Sequence, residues 1–239
     1  MPNSRFKDRI LPVQSEFSEQ FGGSAETFYQ TLFDTIMRFG GLRPFTEVYD
    51  LSESPQLSIE EMASSPMMMQ FLQSLILIKQ PQRVLEIGTF IGISALSMAS
   101  VLPERGQVVT IEKYDHFACI ARENFLRNKL YHKIQLIEGD AYKEIKKLKS
   151  TQPFDLIFLD GNKERYEDYF QVLDPLLAIH GVFVVDDVLF HGDVLNDVQK
   201  TEKGAGVKKF LERVEKDKRY HKTLLPIANG VMVMFKLFL

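Results

Sequence analysis

The 239-residue sequence contains a single cysteine, Cys119, and no tryptophan. One cysteine excludes an internal disulfide bond and a thiolate metal cluster within one chain. The first 30 residues lack an apolar core, so no secretory leader is predicted, and no stretch is apolar enough for a membrane span. The formal net charge of −3 gives no general electrostatic reason to bind nucleic acid or an anionic membrane. These features predict a cytoplasmic protein in a reducing compartment.

The length predicts one large α/β domain, with two small domains as the less favoured division. Residues 26–39 place Phe28, Leu32, Ile36 and Phe39 on one helical face, and Gly40 and the glycine after it end the pattern. We interpret residues 1–58 as an N-terminal arm and helix, and residues 59–239 as a single domain. Two interpretations of the helix at 26–39 stay open. It packs on the edge of the sheet, or it has a functional role, either closing over a site or forming a dimer contact.

Strands and helices alternate from Arg83 onwards. Continuously apolar strands between amphipathic helices indicate a parallel sheet covered on both faces, and the final pair, around Pro226 and Asn229-Gly230, predicts one antiparallel strand at or near an edge. The tail 231–239 is interpreted as an edge strand. Five strands are predicted at 84–88, 107–112, 133–138, 154–160 and 181–187. The helices between and after them are predicted at about 94–102, from an N-cap at Asp115, and after Ala141. Two further helices are predicted from Glu164 to a stop at His180-Gly181 and around Val207–Val214.

The first predicted strand runs into a loop with two glycines, Gly88 and Gly92, and then into a helix. Glycine permits close backbone approach, and the helix N-terminus offers unpaired N–H groups, so this loop predicts a cofactor site. Glu112, at the end of the second strand, is placed to accept hydrogen bonds from ribose hydroxyls. The loop lacks the G-x-G-x-x-G pattern of dinucleotide sites, which favours S-adenosylmethionine over NAD.

Carboxylates end the fourth and fifth predicted strands, at Asp160 and at Asp186-Asp187. Carboxyl ends of parallel strands meet at one edge of the sheet, so these three side chains are expected to converge. Oxygen ligands without Cys or clustered His predict Mg²⁺, Mn²⁺ or Ca²⁺ rather than Zn²⁺. Lys163 is expected to reach the same cavity; the alternative is a surface lysine paired with an acid.

At these residues the chain resembles the cation-dependent O-methyltransferases, which include the caffeoyl-CoA O-methyltransferases, their bacterial relatives and catechol O-methyltransferase. The likeness covers roughly residues 60–235. The matching segments are 85–94 (LEIGTFIGIS), 111–112 (IE), 139–141 (GDA), 158–163 (FLDGNK), 185–192 (VDDVLFHG), 70–72 (QFL) and 225–230 (LPIANG).

The resemblance implies the Rossmann-like S-adenosylmethionine-dependent methyltransferase fold, a phenolic small-molecule substrate and a homodimer. Asp160, Asp186 and Asp187 would hold the metal, Lys163 would be the general base, and Lys163 and His191 would contact substrate. The residues implied to bind the cofactor are Ser64, Glu86, Gly88, Thr89, Phe90, Ser94, Glu112, Lys113, Asp140, Ala141, Asp160 and Asn162.

Three departures from the family pattern stand out. Asp187 replaces the usual Asn and adds a negative charge. Met67-Met68-Met69 replaces the common Glu-Gln-Gly or Asp-Glu-Gly and is interpreted as core or lid packing. The region before Glu60, which helps to choose substrate in this family, matches poorly.

The expected reaction begins with a metal-chelated pair of vicinal hydroxyls, because a free phenol has a pKa near ~10. Lys163 is expected to accept the proton, with a pKa lowered by desolvation and the nearby cation. The phenolate then attacks the sulfonium methyl group. The alternatives are an NAD-dependent oxidoreductase and a non-catalytic S-adenosylmethionine-binding protein on the same fold.

Overall fold

The computed structural model describes residues 31, 34, 35, 38–40, 64–148 and 152–239. The first six belong to a unit comprising Met1–Thr46, and the others to a unit comprising Glu47–Leu239. In the first unit, residues 31, 34, 35, 38 and 39 are helical and Gly40 lies in a turn, as predicted for those positions. The rest of the predicted N-terminal helix, and the boundary at 58/59, lie outside the described residues.

In the second unit, helix α1 (Pro66–Lys79) begins directly after Ser65, its N-cap residue. The Ser65 hydroxyl accepts a hydrogen bond from the Met68 backbone N–H at 3.2 Å, and Pro66 occupies the first turn, where its missing N–H is tolerated. Met68 and Met69 are buried with Leu72 and Ile76. The interpretation of the methionine run as packing is therefore confirmed for these two residues.

Seven strands form one sheet in the order β3-β2-β1-β4-β5-β7-β6. Strands β1 to β5 are parallel, and β7 is antiparallel to both of its neighbours. The prediction of a mostly parallel sheet with one reversed strand near an edge is confirmed. The strands are β1 (Arg83–Ile87), β2 (Gln107–Glu112), β3 (Ile134–Glu138), β4 (Phe154–Leu159), β5 (Leu177–Val185), β6 (Tyr220–Leu225) and β7 (Val231–Lys236).

Helices cover both faces of the sheet. Leu85, Ile157 and Phe183 point to a core shared with α5 and α6, whereas Val84 and Phe158 point to a core shared with α1, α2 and α3. None of the helices in the described ranges is long and apolar enough to cross a membrane. The remaining helices are α2 (Ile93–Val101), α3 (Asp115–Arg127), α4 (Ala141–Ile145), α5 (Tyr166–Leu173) and α6 (Glu202–Glu215), with 3₁₀ turns at Tyr131–Lys133, Lys163–Arg165, Asp174–Leu176 and Phe190–Leu195.

Three local predictions are wrong. Tyr114, not Asp115, is the N-cap of α3, and Asp115 is the first helical residue, where its charge suits the helix dipole. Strand β5 begins at Leu177 rather than 181, because α5 ends at Leu173 and the strand takes up extra residues at a register shift. The tail strand β7 is not at the edge, because β6 pairs with its outer side and takes up the backbone groups that an edge strand would leave unpaired.

The register brings the functional segments together. Ile87 is paired with Ile111 and Leu159, and Leu159 with Val185, so the residues after β1, β4 and β5 share one edge. Gly88 makes this close approach possible. Its φ is +98°, and an added Cβ atom would lie 2.2 Å from the Asp160 carbonyl oxygen.

Candidate active site

A cleft opens at the carboxyl edge of the sheet, between β1 and α2 on one side and the end of β4 on the other. Six of the predicted cofactor residues line it together with Ile93, which the sequence analysis did not single out. The lining residues are Ser64, Gly88, Thr89, Phe90, Ile93, Ser94 and Asp160. The sequence motif after β1 therefore forms a cavity wall, as predicted.

Glu86, on β1, is fully buried beneath this cleft. Its Oε2 accepts a hydrogen bond from the Thr110 hydroxyl at 2.5 Å, and the Thr110 oxygen lies 2.5 Å from the hydroxyl of Thr89. Glu86 Oε1 accepts no hydrogen bond from the part of the chain that the structure describes. Burial raises the pKa of Glu86 to about 8, although the Ser94 and Thr110 hydroxyls favour the ionised form. Glu86 is therefore mostly protonated at pH 7.

The buried Glu86 carboxyl predicts an unusual pH dependence of stability. The unfolded chain ionises Glu86 near pH 4.5 and the folded chain near pH 8, so the folded protein holds one more proton in this window and loses stability as the pH rises through it. We expect Glu86→Gln to gain stability relative to wild type over this window, by an amount on the order of 2–5 kcal/mol at pH 8.5.

Urea unfolding at pH 5, 7 and 8.5 measures this gain. The exposed Glu104, changed to Gln, is the control and should give the same difference from wild type at each pH. A Glu86→Gln difference that stays constant across the three pH values would contradict burial as the source of the pKa shift.

Glu112, at the end of β2, is also buried, and two backbone groups orient its carboxylate. Its Oε2 accepts from the Phe90 N–H at 2.8 Å, and its Oε1 from the Tyr114 N–H at 2.9 Å. Burial raises the pKa of Glu112, and these backbone hydrogen bonds act against the shift. Each carboxylate oxygen has further lone pairs. Glu112 is thus held at the loop after β1 with acceptor capacity left for hydroxyl groups.

Lys163, in the turn that follows β4, bridges two of the predicted metal ligands. Its Nζ lies 2.5 Å from Asp160 Oδ1 and 2.9 Å from Asp187 Oδ2. Asp160 Oδ2 also accepts from the Ser64 hydroxyl at 3.1 Å, which links the segment before α1 to the end of β4. Gly206 of α6 allows this turn to pack closely, since an added Cβ atom would lie 2.6 Å from the Lys163 carbonyl oxygen.

Asp186 and Asp187 follow β5 in a tight arrangement. Asp186 is buried, and its Oδ1 accepts from the Asp187 N–H at 2.8 Å. The buried Tyr166 hydroxyl donates to the Asp186 carbonyl oxygen at 3.1 Å. Asp187 adopts a φ of 58°, a left-handed conformation that Asn and Asp tolerate better than most residues. Asp in place of the family's usual Asn therefore suits the backbone and brings a charge that meets Lys163.

Burial and mutual proximity shift the pKa values of the acids and of Lys163 in this cluster. Burial raises the pKa of Asp186 to about 8, with repulsion from Asp160 and Asp187 adding to the shift. Desolvation also raises the pKa of Asp160. Burial acts to lower the pKa of Lys163, but Asp160, Tyr166 and Asp187 outweigh it, and the pKa lies well above its usual value. The expected lowering of the Lys163 pKa refers to a site that also holds the divalent cation, and it stays a prediction.

The donor chemistry fits a hard divalent cation. All three candidate ligands are carboxylates, and two of them already converge on a positive charge, the ammonium of Lys163. Within the described ranges, no three His, Cys, Asp or Glu side chains are arranged as a ready-made metal site. Asp160, Asp186 and Asp187 thus remain the predicted ligands, with Lys163 lying between two of them.

The other predicted site residues are not among those that line the cleft. Asp140 is the N-cap of α4, which Ala141 begins, and its carboxylate accepts from the Lys143 N–H. Asn162 caps the Lys163–Arg165 turn through the Glu164 N–H. Lys113 is exposed, with its Nζ 5.5 Å from the centre of the Tyr114 ring, and His191 is exposed beside Phe190. No measured contact joins these last two residues to the cleft.

Sequence reasoning missed Thr110, Tyr166 and Gly206. Thr110 sits opposite Glu86 in the β1–β2 register, which only strand pairing reveals. Tyr166 lies on helix α5, and helical periodicity gives no indication that its hydroxyl reaches the Asp186 carbonyl group. Gly206 interrupts the apolar stripe of α6, and this interruption was the available signal for close packing.

The fold and the site together define a Rossmann-like methyltransferase. Residues 48–237 match the model of a family described as O-methyltransferase. The chain belongs to this O-methyltransferase family. This confirms the family resemblance, the enzyme class and the fold class predicted from the sequence.

Individual relatives agree with this assignment. Catechol O-methyltransferase of Niastella koreensis is 33% identical over 148 residues, covering 61% of this chain and 67% of the relative. The protein named "Probable caffeoyl-CoA O-methyltransferase 1" of Dictyostelium discoideum is 28% identical over 171 residues, covering 70% and 74%. The structure of the O-methyltransferase TomG from Streptomyces achromogenes, in complex with SAM, has a TM-score of 0.71 at 26% identity and covers 95% of this chain and 96% of TomG.

Proposed function

We propose that this protein is an S-adenosylmethionine-dependent and divalent-metal-dependent O-methyltransferase that acts on a vicinal-dihydroxy small molecule of the catechol or caffeoyl type. The observation that carries the proposal is the meeting of Asp160, Asp187 and Lys163 beside the glycine-lined cleft. The names of the relatives support the substrate class, and the SAM complex of TomG supports the cofactor.

The cleft residues suit S-adenosylmethionine. Gly88 and Ser94 line the cavity, Glu112 offers acceptor oxygens for the ribose hydroxyls, and the unpartnered Glu86 Oε1 lies beneath. Ser64, Thr89, Phe90, Asp160 and Ile93 complete the wall. The family resemblance adds Asp140, Ala141, Asn162 and Lys113 as proposed cofactor contacts. When bound, this cofactor supplies an electrophilic methyl group on a cationic sulfur.

Asp160, Asp186 and Asp187 would hold the divalent cation, with Mg²⁺ as the first choice and Mn²⁺ or Ca²⁺ as alternatives. When bound, the cation lowers the pKa of a chelated phenol and orients its oxygen. Asp160 borders the cofactor cleft and contacts Lys163, so it connects the two halves of the site.

Lys163 would take the proton from the reacting hydroxyl. It begins the turn after β4, and its nitrogen contacts Asp160, which lines the cleft. It must first leave its two carboxylate partners, because in their company the pKa of Lys163 is raised. A base at this position can contribute about 10²–10⁴-fold to the rate.

The family match disfavours the NAD-dependent oxidoreductase alternative. The non-catalytic S-adenosylmethionine-binding alternative is disfavoured by the presence of Lys163 in contact with Asp160 and Asp187. A homodimer, a cytoplasmic location and the absence of nucleic-acid and membrane partners remain predictions. His191 remains the predicted second substrate contact.

A comparison of catechol with phenol tests the substrate class. Two vicinal oxygens can chelate one cation, whereas a single hydroxyl cannot, so we expect kcat/KM for catechol to exceed that for phenol by about 100-fold or more. Transfer of a labelled methyl group from S-adenosylmethionine measures both rates, with guaiacol as a control that retains only one free hydroxyl group. Equal rates for catechol and phenol would contradict the vicinal-dihydroxy requirement.

A further inference from the structure

The ammonium of Lys163 occupies the space between two carboxylates that the proposed function assigns to a divalent cation. Its nitrogen lies 2.5 Å from Asp160 Oδ1 and 2.9 Å from Asp187 Oδ2. The same oxygens cannot serve both cations fully, because a bound metal takes their lone pairs and repels a positive charge at close range. The side chains of Asp160 and Lys163 are mostly buried, so water screens this repulsion only weakly.

We propose that Lys163 and the divalent cation are alternative occupants of the Asp160–Asp187 pair. The ammonium holds the two carboxylates together before metal binding and leaves them when the cation arrives. This inference rests on the proposed function and deepens it, because it makes Lys163 a competitor for the site as well as the proposed base.

The exchange depends on Asp187, at a position where the family usually has Asn. A neutral Asn at the same position would give Lys163 one charged partner, whereas Asp187 gives it two. The backbone accepts either residue at the φ of 58°. The added charge therefore strengthens the hold on the ammonium as well as the attraction for a cation.

The exchange needs only a side-chain movement. The Lys163–Arg165 turn packs tightly on Gly206 of α6, and this keeps its backbone in place. The ring of Tyr166 lies 6.0 Å from the Lys163 nitrogen and offers a π face to a released ammonium. Lys163 can thus leave the carboxylates and remain beside the cleft.

Binding of Mn²⁺ to the full chain without cofactor tests the competition, with free Mn²⁺ counted by electron paramagnetic resonance. Lys163→Met keeps the apolar stem and removes the charge, so we expect its Kd for Mn²⁺ to be about 10-fold lower than that of wild type, which equals about 1.4 kcal/mol. Lys163→Arg keeps a cation and should not bind more tightly than wild type. Lys209→Met, which removes an exposed lysine paired with Glu167, should match wild type.

A second measurement uses the unmodified protein and does not depend on the folding of a variant. Acetylation by acetic anhydride, followed by mass spectrometry, should label Lys163 several-fold faster when Mg²⁺ is saturating. The exposed Lys129 should be labelled at the same rate with and without Mg²⁺.

Two results would overturn the inference in distinguishable ways. If wild type and Lys163→Met bind Mn²⁺ with equal affinity, or metal leaves Lys163 labelling unchanged, the competition is wrong while the metal site stands. If neither protein binds Mn²⁺ saturably, the proposed metal dependence fails and the inference fails with it.

Discussion

Replacing Lys163 by methionine is expected to lower kcat for methyl transfer to catechol by about 10²–10⁴-fold, the usual contribution of a positioned general base. The methionine side chain fills the space of the lysine stem but cannot accept a proton. KM for S-adenosylmethionine should change little, because the cleft wall formed by Gly88 and Ser94 is untouched. Steady-state assays with both substrates varied measure the two effects separately.

Lys209→Met is the matched control for this loss. Lys209 is also an ion-paired lysine, but it is exposed and bonded to Glu167 away from the cleft. Its variant should retain wild-type kcat. Full activity of Lys163→Met would contradict the role of Lys163 as general base. An equal loss of kcat in Lys209→Met would show that the effect is not specific to the site.

The affinity for Mn²⁺ is a second property in which Lys163→Met is expected to differ from wild type. Loss of the Lys163 charge is expected to strengthen Mn²⁺ binding while it slows turnover. A general loss of structure would instead weaken Mn²⁺ binding and slow turnover. The opposite directions of the two changes therefore separate a chemical role of Lys163 from damage to the fold.

Much of the site could be predicted from the sequence because the strand-end rule is strong. Apolar runs that end in Glu112, Asp160 and Asp186 indicate parallel strands, and parallel strands bring their carboxyl ends to one edge. Gly88 was predicted as a point of close approach, and it is one, against the Asp160 carbonyl group. These features depend on the local pattern of apolar, acidic and glycine residues, which can be read from a single sequence.

What could not be predicted depends on neighbours distant in the sequence. The raised pKa of Glu86 follows from its complete burial, which only the packing of other elements over β1 produces. The pKa of Lys163 is raised mainly by Asp160, and Asp187, which comes from a different strand end, adds to the shift. The start of β5 at Leu177 reflects a register shift against β4, and helical periodicity gives no sign of it.

The second large effect is expected from metal removal. Asp160, Asp186 and Asp187 offer only oxygen donors, and the pKa of Asp186 is raised to about 8 by burial and by repulsion from its neighbours. This arrangement disfavours bare negative charge, so a divalent cation should relieve it. A phenol with a pKa near ~10 is largely unreactive at neutral pH without such help. The reaction is therefore expected to depend strongly on the cation that these acids hold.

The most direct measurement is methyl transfer from S-adenosylmethionine to catechol after exhaustive treatment with EDTA and buffer exchange. The rate should fall by about 10²-fold or more, in line with the several kcal/mol that a metal ion contributes. Addition of Mg²⁺ or Mn²⁺ should restore it, whereas Na⁺ at equal ionic strength should not. Methyl transfer that continues undiminished in the metal-free protein would contradict the central claim of a divalent-metal-dependent O-methyltransferase.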